Sequence, residues 1–337
     1  LKTITLNTPL DMHLHLRDND MLKNVAPLTA KSFAAALVMP NLVPPLTTKE
    51  QLKSYAQRIK AAQGEEDFEA HLTLFFQPTY TKEFLEEVRE DIIALKLYPA
   101  GITTNSDGGV SNFDIEELRP TLTAMTELGI PLCVHGETNG FVMEREAEFV
   151  SIYEQLASAF PSLKIIMEHI TTKESVEALD RCPNLYATIT IHHLLITLDD
   201  VAGGMLQPHL FCKPIAKRPI DREALRRVAL SGHPKVMFGS DSAPHPQSAK
   251  ESCGCAAGVF TAPIALQLLV ELFDKEGADM NNLQKFISDN AQTIYGIHPK
   301  EKRVTLEQKP FQVPQKYGNV VPMYAGEMIG WSIGLVE

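Results

Sequence analysis

The stretch "LDMHLHLRDND", Leu10 to Asp20, sets two histidines and an arginine at alternate positions of an apolar run. Extended as a β-strand, it turns Asp11, His13, His15 and Arg17 to one side and Met12, Leu14 and Leu16 to the other. An acid, two imidazoles and a guanidinium make a poor core face but a good lining for a site. The fold must therefore bring one face of a buried strand into a polar cavity.

Outward from this stretch, short β-type runs alternate with amphipathic helical patterns. Strands are predicted over 9–16, 34–41, 70–77, 92–99, 130–137, 163–170, 185–191 and 235–242, with helices over 47–63, 81–91, 113–129, 144–160, 171–182 and 221–232. The segment 17–33 is irregular in pattern, and a helix is expected there. Eight such alternations fit a (β/α)8 TIM barrel. A doubly wound sheet is the runner-up, weakened because no Gly-x-Gly-x-x-Gly follows the first strand. Helical runs over 263–277 and 280–296 then form a C-terminal helical extension from about residue 263, and 297–337, rich in Pro, Gly and Lys, is expected to wrap the barrel. The whole of 1–337 reads as a single domain.

With 31 Lys+Arg against 42 Asp+Glu, the net charge of −11 argues against nucleic acid or an anionic membrane as partner. It leaves room for a small anion in a locally basic cleft. No stretch approaches about 18 consecutive apolar residues, and the start lacks a signal-peptide pattern. Five scattered cysteines suit a reducing, cytoplasmic setting. The close pair Cys253 and Cys255 has no second pair at zinc-finger spacing and reads as a turn.

In a barrel of this kind, functional side chains gather at the carboxyl ends of strands. His13, His15, Arg17, Asn41, Lys96, His135, His169 and Asp241 all fall there, with His245 just beyond. Parity agrees: Leu95 and Leu97 oppose Lys96, Leu132 and Val134 oppose His135, and Phe238 and Ser240 oppose Asp241. Singly, each has an ordinary reading: a hydrogen-bonded core histidine, a snorkelling lysine, an aspartate loop cap. Together they would leave several buried polar groups wanting partners, a need that metal ions meet at once.

Imidazole and carboxylate suit Zn²⁺, and also Mn²⁺, Fe²⁺ or Co²⁺. His13 and His15 can share one ion, His135 and His169 a second. Lys96 has two readings: an ammonium paired with an acid or anionic substrate, or a neutral amine that takes up CO₂ and bridges two ions about 3.5–4 Å apart as a carbamate.

The motifs "DMHLHLRD", "MPN", "KLYPAGITTNS", "VHGE", "EHITT", "HLFCKPIAKRP", "GSDSAPH" and "KESCGCAAG" resemble, in order and over about residues 8–300, those of the dihydroorotases of the stand-alone bacterial and yeast type, within the amidohydrolase superfamily. The resemblance implies reversible, zinc-dependent hydrolysis of dihydroorotate to N-carbamoyl-aspartate in pyrimidine biosynthesis. It implies two Zn²⁺ per subunit, bridged by N6-carboxylated Lys96 and a hydroxide that acts as nucleophile. The metal ligands would be His13, His15, Lys96, His135, His169 and Asp241, with Asp241 also the general acid/base. Arg17, Asn41 and His245 would hold the substrate carboxylate, Ala256 would make a backbone contact to the ring, and Thr103 and Thr104 would sit on a mobile loop (101–112) that closes over substrate. A homodimer is implied as well. Two departures stand out: Ile191 and His192 replace an expected Pro-Gln pair, leaving His192 and His193 as extra histidines outside the ligand set, and Lys213 stands where a small apolar residue is commoner. Another cyclic-amide hydrolase, a hydantoinase or allantoinase, is the alternative; it shares the metal set but has no need of the Arg17, Asn41 and His245 group. A non-catalytic relative would be expected to have lost ligands.

Overall fold

The computed structural model describes residues 1–337. After an edge strand β1 (Thr3–Asn7), eight strands run in chain order: β2 (Leu10–Leu14), β3 (Ala35–Val38), β4 (Glu69–Phe75), β5 (Ala94–Leu97), β6 (Leu132–Val134), β7 (Ile165–Met167), β8 (Leu185–Ile189) and β9 (Val236–Phe238). Each pairs in parallel with the next. The ring closes where the Asp241 N–H donates to the His13 carbonyl (2.8 Å) and the His15 N–H to that of Ser242 (3.2 Å). This is the (β/α)8 barrel expected from the alternation, with each strand shorter than the run that announced it.

The connecting helices are α1 (Asn19–Ala30), α2 (Lys49–Ala62), α3 (Lys82–Val88), α4 (Ile115–Leu128), α5 (Arg145–Ala159), α6 (Lys173–Arg181), α7 (Ile191–Leu195), α8 (Leu198–Ala202), α9 (Pro219–Leu230), α10 (Gln247–Lys250) and α11 (Ala265–Lys275). Their starts follow capping chemistry: Thr48 and Gln51 form a reciprocal box at α2, and Thr172 accepts the Ser175 N–H at α6. The helix expected within the irregular segment 17–33 is α1. Asp18 caps it, and Leu22, Val25, Ala26, Thr29 and Ala30 bury one face despite Pro27 inside. The run over 280–296 is one helical stretch broken by a π-helical segment at Lys285–Asp289.

Side chains divide into two apolar layers. Leu14, Leu16, Ala36, Val38, Leu95, Leu97, Leu132, Val134 and Phe238 join the large cluster between barrel and helices. Leu10, Met12, Leu37, Ala94, Cys133, Ile166 and Met237 form the barrel floor. Strict alternation along β2 fails here. Asp11 pairs with Ala36 and Leu14 with Val38, three steps on β2 against two on β3. That extra residue is a bulge. It puts Met12 on the floor rather than with Leu14 and Leu16, and lets His13 follow it into the barrel.

The chain ends add a sheet that sequence patterning did not show. β1 pairs antiparallel with β10 (Arg303–Glu307), which pairs with a strand at Ser332–Val336. Leu6, Val304, Leu306 and Trp331 belong to the same apolar cluster as the barrel helices.

Candidate metal centre and substrate cavity

His13 and His15 reach the cavity from the bulged end of β2, with their Nε2 atoms 3.3 Å apart. Glu168 Oε2 lies 2.6 Å from His13 Nδ1 and also accepts from Thr188 Oγ1 at 2.7 Å. A carboxylate there holds the proton on Nδ1, so Nε2 faces inward with its lone pair. Burial above all pushes His15 down to about 3, although Asp241 works the other way. It is a neutral ligand-type imidazole.

Across the barrel the arrangement repeats with the ring nitrogens exchanged. His135 Nε2 sits 2.6 Å from Glu137 Oε1, and His135 Nδ1 lies 3.2 Å from His169 Nε2. His169 is held well below the ordinary histidine value, chiefly by burial, and its Nδ1 has no partner. Its backbone is left-handed, φ 40°, with its N–H on Thr188 Oγ1 at 2.8 Å. That turn lets consecutive residues, Glu168 and His169, both face the site. Asp241 (φ 43°) and Arg17 (φ 56°) are left-handed too, and such strain gathers where the surroundings over-determine a side chain's position.

Between the two histidine pairs stands Lys96, fully buried, with no partner for Nζ beyond the Tyr98 ring, whose centroid is 4.2 Å away. Burial lowers the Lys96 amine, against the pull of Glu168 and Asp241. Asp241 Oδ1 is 3.0 Å from His15 Nε2 and 3.4 Å from His13 Nε2. Burial by itself would raise this carboxyl, but His13, His15 and His169 outweigh it and keep it well below the usual range. Asp241 is thus ionised at neutral pH. Asp11 faces the seam, not the cavity. Its carboxyl accepts from the Ser240 N–H (2.8 Å), Ser240 Oγ (2.5 Å) and the His13 N–H (3.2 Å), and burial pushes it up to about 6.

The mouth is lined by Arg17, Asn41, Tyr98, Thr103, Thr104, Lys213 and Ala257 and leaves a cavity of about 20 Å³, room for one water. Loop 101–112 is latched down: Asn41 Nδ2 donates to the Thr104 carbonyl and Asn105 Nδ2 to the Asn41 carbonyl, each at 3.0 Å. Gly109 serves close packing at the loop base, where a Cβ would lie 2.3 Å from the Tyr98 carbonyl oxygen. His245 stands behind Arg17. Its Nε2 is 3.1 Å from Arg17 Nη2 and 2.9 Å from the Ala257 carbonyl, and only one of these is a hydrogen bond at a time. Ala256 lies outside the cavity wall. The Ala256 N–H and carbonyl are taken by Ala249 and Lys250, whereas Ala257 lies in the cavity wall.

The donor set fits divalent metal. Two imidazole nitrogens on a tetrahedral zinc stand about 3.3 Å apart, and the two pairs here are 3.3 and 3.2 Å apart. His13, His169 and Asp241 present ligand atoms within 4.8 Å of one another. Inward lone pairs with no cation repel, and Lys96 Nζ, His169 Nδ1 and Glu168 Oε1 are buried without partners. Sequence reading missed Glu137, Glu168, Thr188 and Tyr98. The available signal was an acid one residue before, or two after, a site histidine, in "EHITT" and "VHGE".

The amidohydrolase family model matches residues 10–297. A curated dihydroorotase from Helicobacter hepaticus is 44% identical over 338 residues, covering 98% of each chain. The structure is similar to that of a dihydroorotase from Campylobacter jejuni, with 57% identity, a TM-score of 0.94 and coverage of 99% of this chain and 98% of that one. It is also similar to a Saccharomyces cerevisiae dihydroorotase in complex with 5-fluoroorotic acid, at 33% identity, a TM-score of 0.92 and 99% coverage of both.

Proposed function

The chain belongs to the amidohydrolase family and, within it, to the dihydroorotases, and from that premise we propose how its residues divide the work. The reaction is the reversible hydrolysis of dihydroorotate to N-carbamoyl-aspartate. The observation that carries the assignment is the two converging nitrogen pairs, each turned inward by a buried glutamate.

His13, His15 and Asp241 would hold one zinc ion and His135 and His169 the second, with Lys96 completing the donor set. Bound there, the ions supply an activated water at neutral pH and polarise the amide carbonyl under attack. Lys96 does its part as a carbamate: its neutral amine forms a C–N bond to CO₂ and loses one proton to solvent. The unpartnered, fully buried Nζ and its lowered basicity support this. Asp241, ionised and facing the nitrogen pairs, accepts the proton of the attacking water and delivers it to the ring nitrogen as the C–N bond breaks. Arg17 receives the substrate carboxylate in its planar fork, with His245 setting the guanidinium behind it. Asn41, Thr103 and Thr104 close over the ring, and Ala257 supplies a backbone contact.

The chain works as one domain, and we propose a cytoplasmic homodimer. Val43, Phe141, Met205 and Leu206 are exposed apolar side chains, and no helix is long and apolar enough to cross a membrane. The test is ring-opening of dihydroorotate followed by ultraviolet absorbance, with metal content measured on the same protein. Asp241→Ala keeps at least one ion and loses at least about 100-fold in turnover; near-parental activity refutes its proton role. Hydrolysis of hydantoin but not dihydroorotate overturns the substrate.

A further inference from the structure

His192 and His193 open α7, directly after the end of β8, and Cys212 lies on the loop that leads to α9. All three side chains are buried, 0%, 2% and 2% exposed. Their ligand atoms lie within 4.8 Å of one another. Cys212 Sγ is 3.5 Å from His193 Nε2. The Pro214 carbonyl oxygen is 3.0 Å from that nitrogen and 3.3 Å from the sulfur. On a tetrahedral zinc, a thiolate sulfur and an imidazole nitrogen stand about 3.6 Å apart. Thr190 Oγ1, 2.9 Å from His193 Nδ1, orients the ring with Nε2 toward the sulfur. His192 adds the independent observation: both its ring nitrogens are buried and neither has a partner. A buried imidazole with no partner at either nitrogen is costly, and the cost points to a missing ligand.

We propose that His192, His193 and Cys212, with the Pro214 carbonyl, bind a further zinc-class cation, separate from the centre formed by His13, His15, Lys96, His135, His169 and Asp241. One sulfur, imidazole and no carboxylate select a borderline-soft ion over Mg²⁺ or Ca²⁺. Burial lifts the Cys212 thiol to about 12 while Lys217 and Lys250 pull it down, so the thiolate forms when a cation is there to receive it. Binding breaks the S–H bond, forms the S–metal bond and releases one proton to solvent, with no change of oxidation state. Cys212 and Lys213 both line the reaction cavity, so the ion fastens that wall to α7.

The test is cobalt substitution of the full chain after metal removal. None of the ligands assigned to the main centre is sulfur, so a thiolate-to-Co²⁺ charge-transfer band in the near ultraviolet reports a cysteine-bound ion outside that centre, whatever becomes of the two-ion reading, and the Cys212 variant assigns it. Expected is the band in the parent, its loss in Cys212→Ser and in His192→Gln, and a fall of one metal equivalent per chain in each variant. Absence of the band in the cobalt-loaded parent overturns the proposal. So does a band that survives in Cys212→Ser, which would assign the cobalt to another cysteine. If Cys212→Ser does not fold, the parent spectrum and His192→Gln decide alone.

Discussion

Glu168→Ala removes a carboxylate that no proposed reaction step needs, and it tests whether that carboxylate sets the chemistry of the proposed metal ligand His13. Glu168 Oε2 touches His13 Nδ1 at 2.6 Å and Thr188 Oγ1 at 2.7 Å. Without it, His13 is free to carry its proton on Nε2, the nitrogen that faces His15 and, on the proposed reading, the ion. Loss of such a partner weakens metal binding by about 10–100-fold, or about 1.4–2.7 kcal/mol. The His169 N–H keeps Thr188 Oγ1 as its acceptor at 2.8 Å, so the second pair should hold. Titration with a chromophoric chelator should therefore show one ion released at 10–100-fold lower chelator concentration and the other as in the parent. Turnover should fall in step and recover at excess zinc. Glu168→Gln keeps an oxygen for Nδ1–H, so it should lose less than alanine does. If the alanine variant holds both ions within about twofold of the parent, the glutamate does not set the His13 tautomer and the account of the inward lone pairs is wrong.

Asn105→Gly keeps the left-handed backbone of that residue (φ 53°) and deletes its bond to the Asn41 carbonyl. One hydrogen bond of about 1 kcal/mol shifts the loop about fivefold toward open, read as faster amide exchange over 101–112 and a higher KM; unchanged exchange removes the latch. Burial above all raises the Glu146 carboxyl above its ordinary value, despite bonds from Thr171, Thr172 and Ser175. Its stabilisation is then present at low pH and lost as pH rises through the raised folded value, so the urea midpoint difference between parent and Glu146→Gln should be larger near pH 5 than near pH 8; a difference that grows with pH refutes this. Asp11→Ala strands the Ser240 and His13 N–H groups at the barrel seam and should cost about 3–5 kcal/mol in chemical denaturation; a cost below about 1 kcal/mol would show that the seam does not depend on it.

The barrel was legible because each strand is an apolar run with its polar exceptions at one end, and the helices between carry their own caps. Three kinds of feature were less so. The α1 helix hides behind Pro27, whose cost its buried face outweighs. The sheet of β1 and β10 is built from chain ends more than 290 residues apart, and edge strands such as "TITLN" have no apolar run to announce them. The left-handed turns at Arg17, His169 and Asp241 break the alternation on which parity arguments rest. The residue types of the site could be read, but not the glutamates that orient them, because an acid beside a histidine is informative only once its direction is known.

Direction also settles what Asp11 does. By strict alternation it belongs with His13 and His15 inside the barrel. The bulge releases it from that face, and its carboxyl instead gathers Ser240 and the His13 N–H. Those bonds lie beside the backbone bond from Asp241 to His13 that closes the ring. Closing the barrel and bringing Asp241 against His13 and His15 are therefore one event. The first and last strands carry three of the site's polar groups because the seam between them is where the chain has to be held most tightly. Arg17 and Asp241 bear left-handed strain on either side of that seam, which only a closed ring can hold. A fold that failed to close would lose Asp241 and two imidazoles together, while Lys96 on β5 and His135 and His169, just beyond β6 and β7, would keep their mutual geometry.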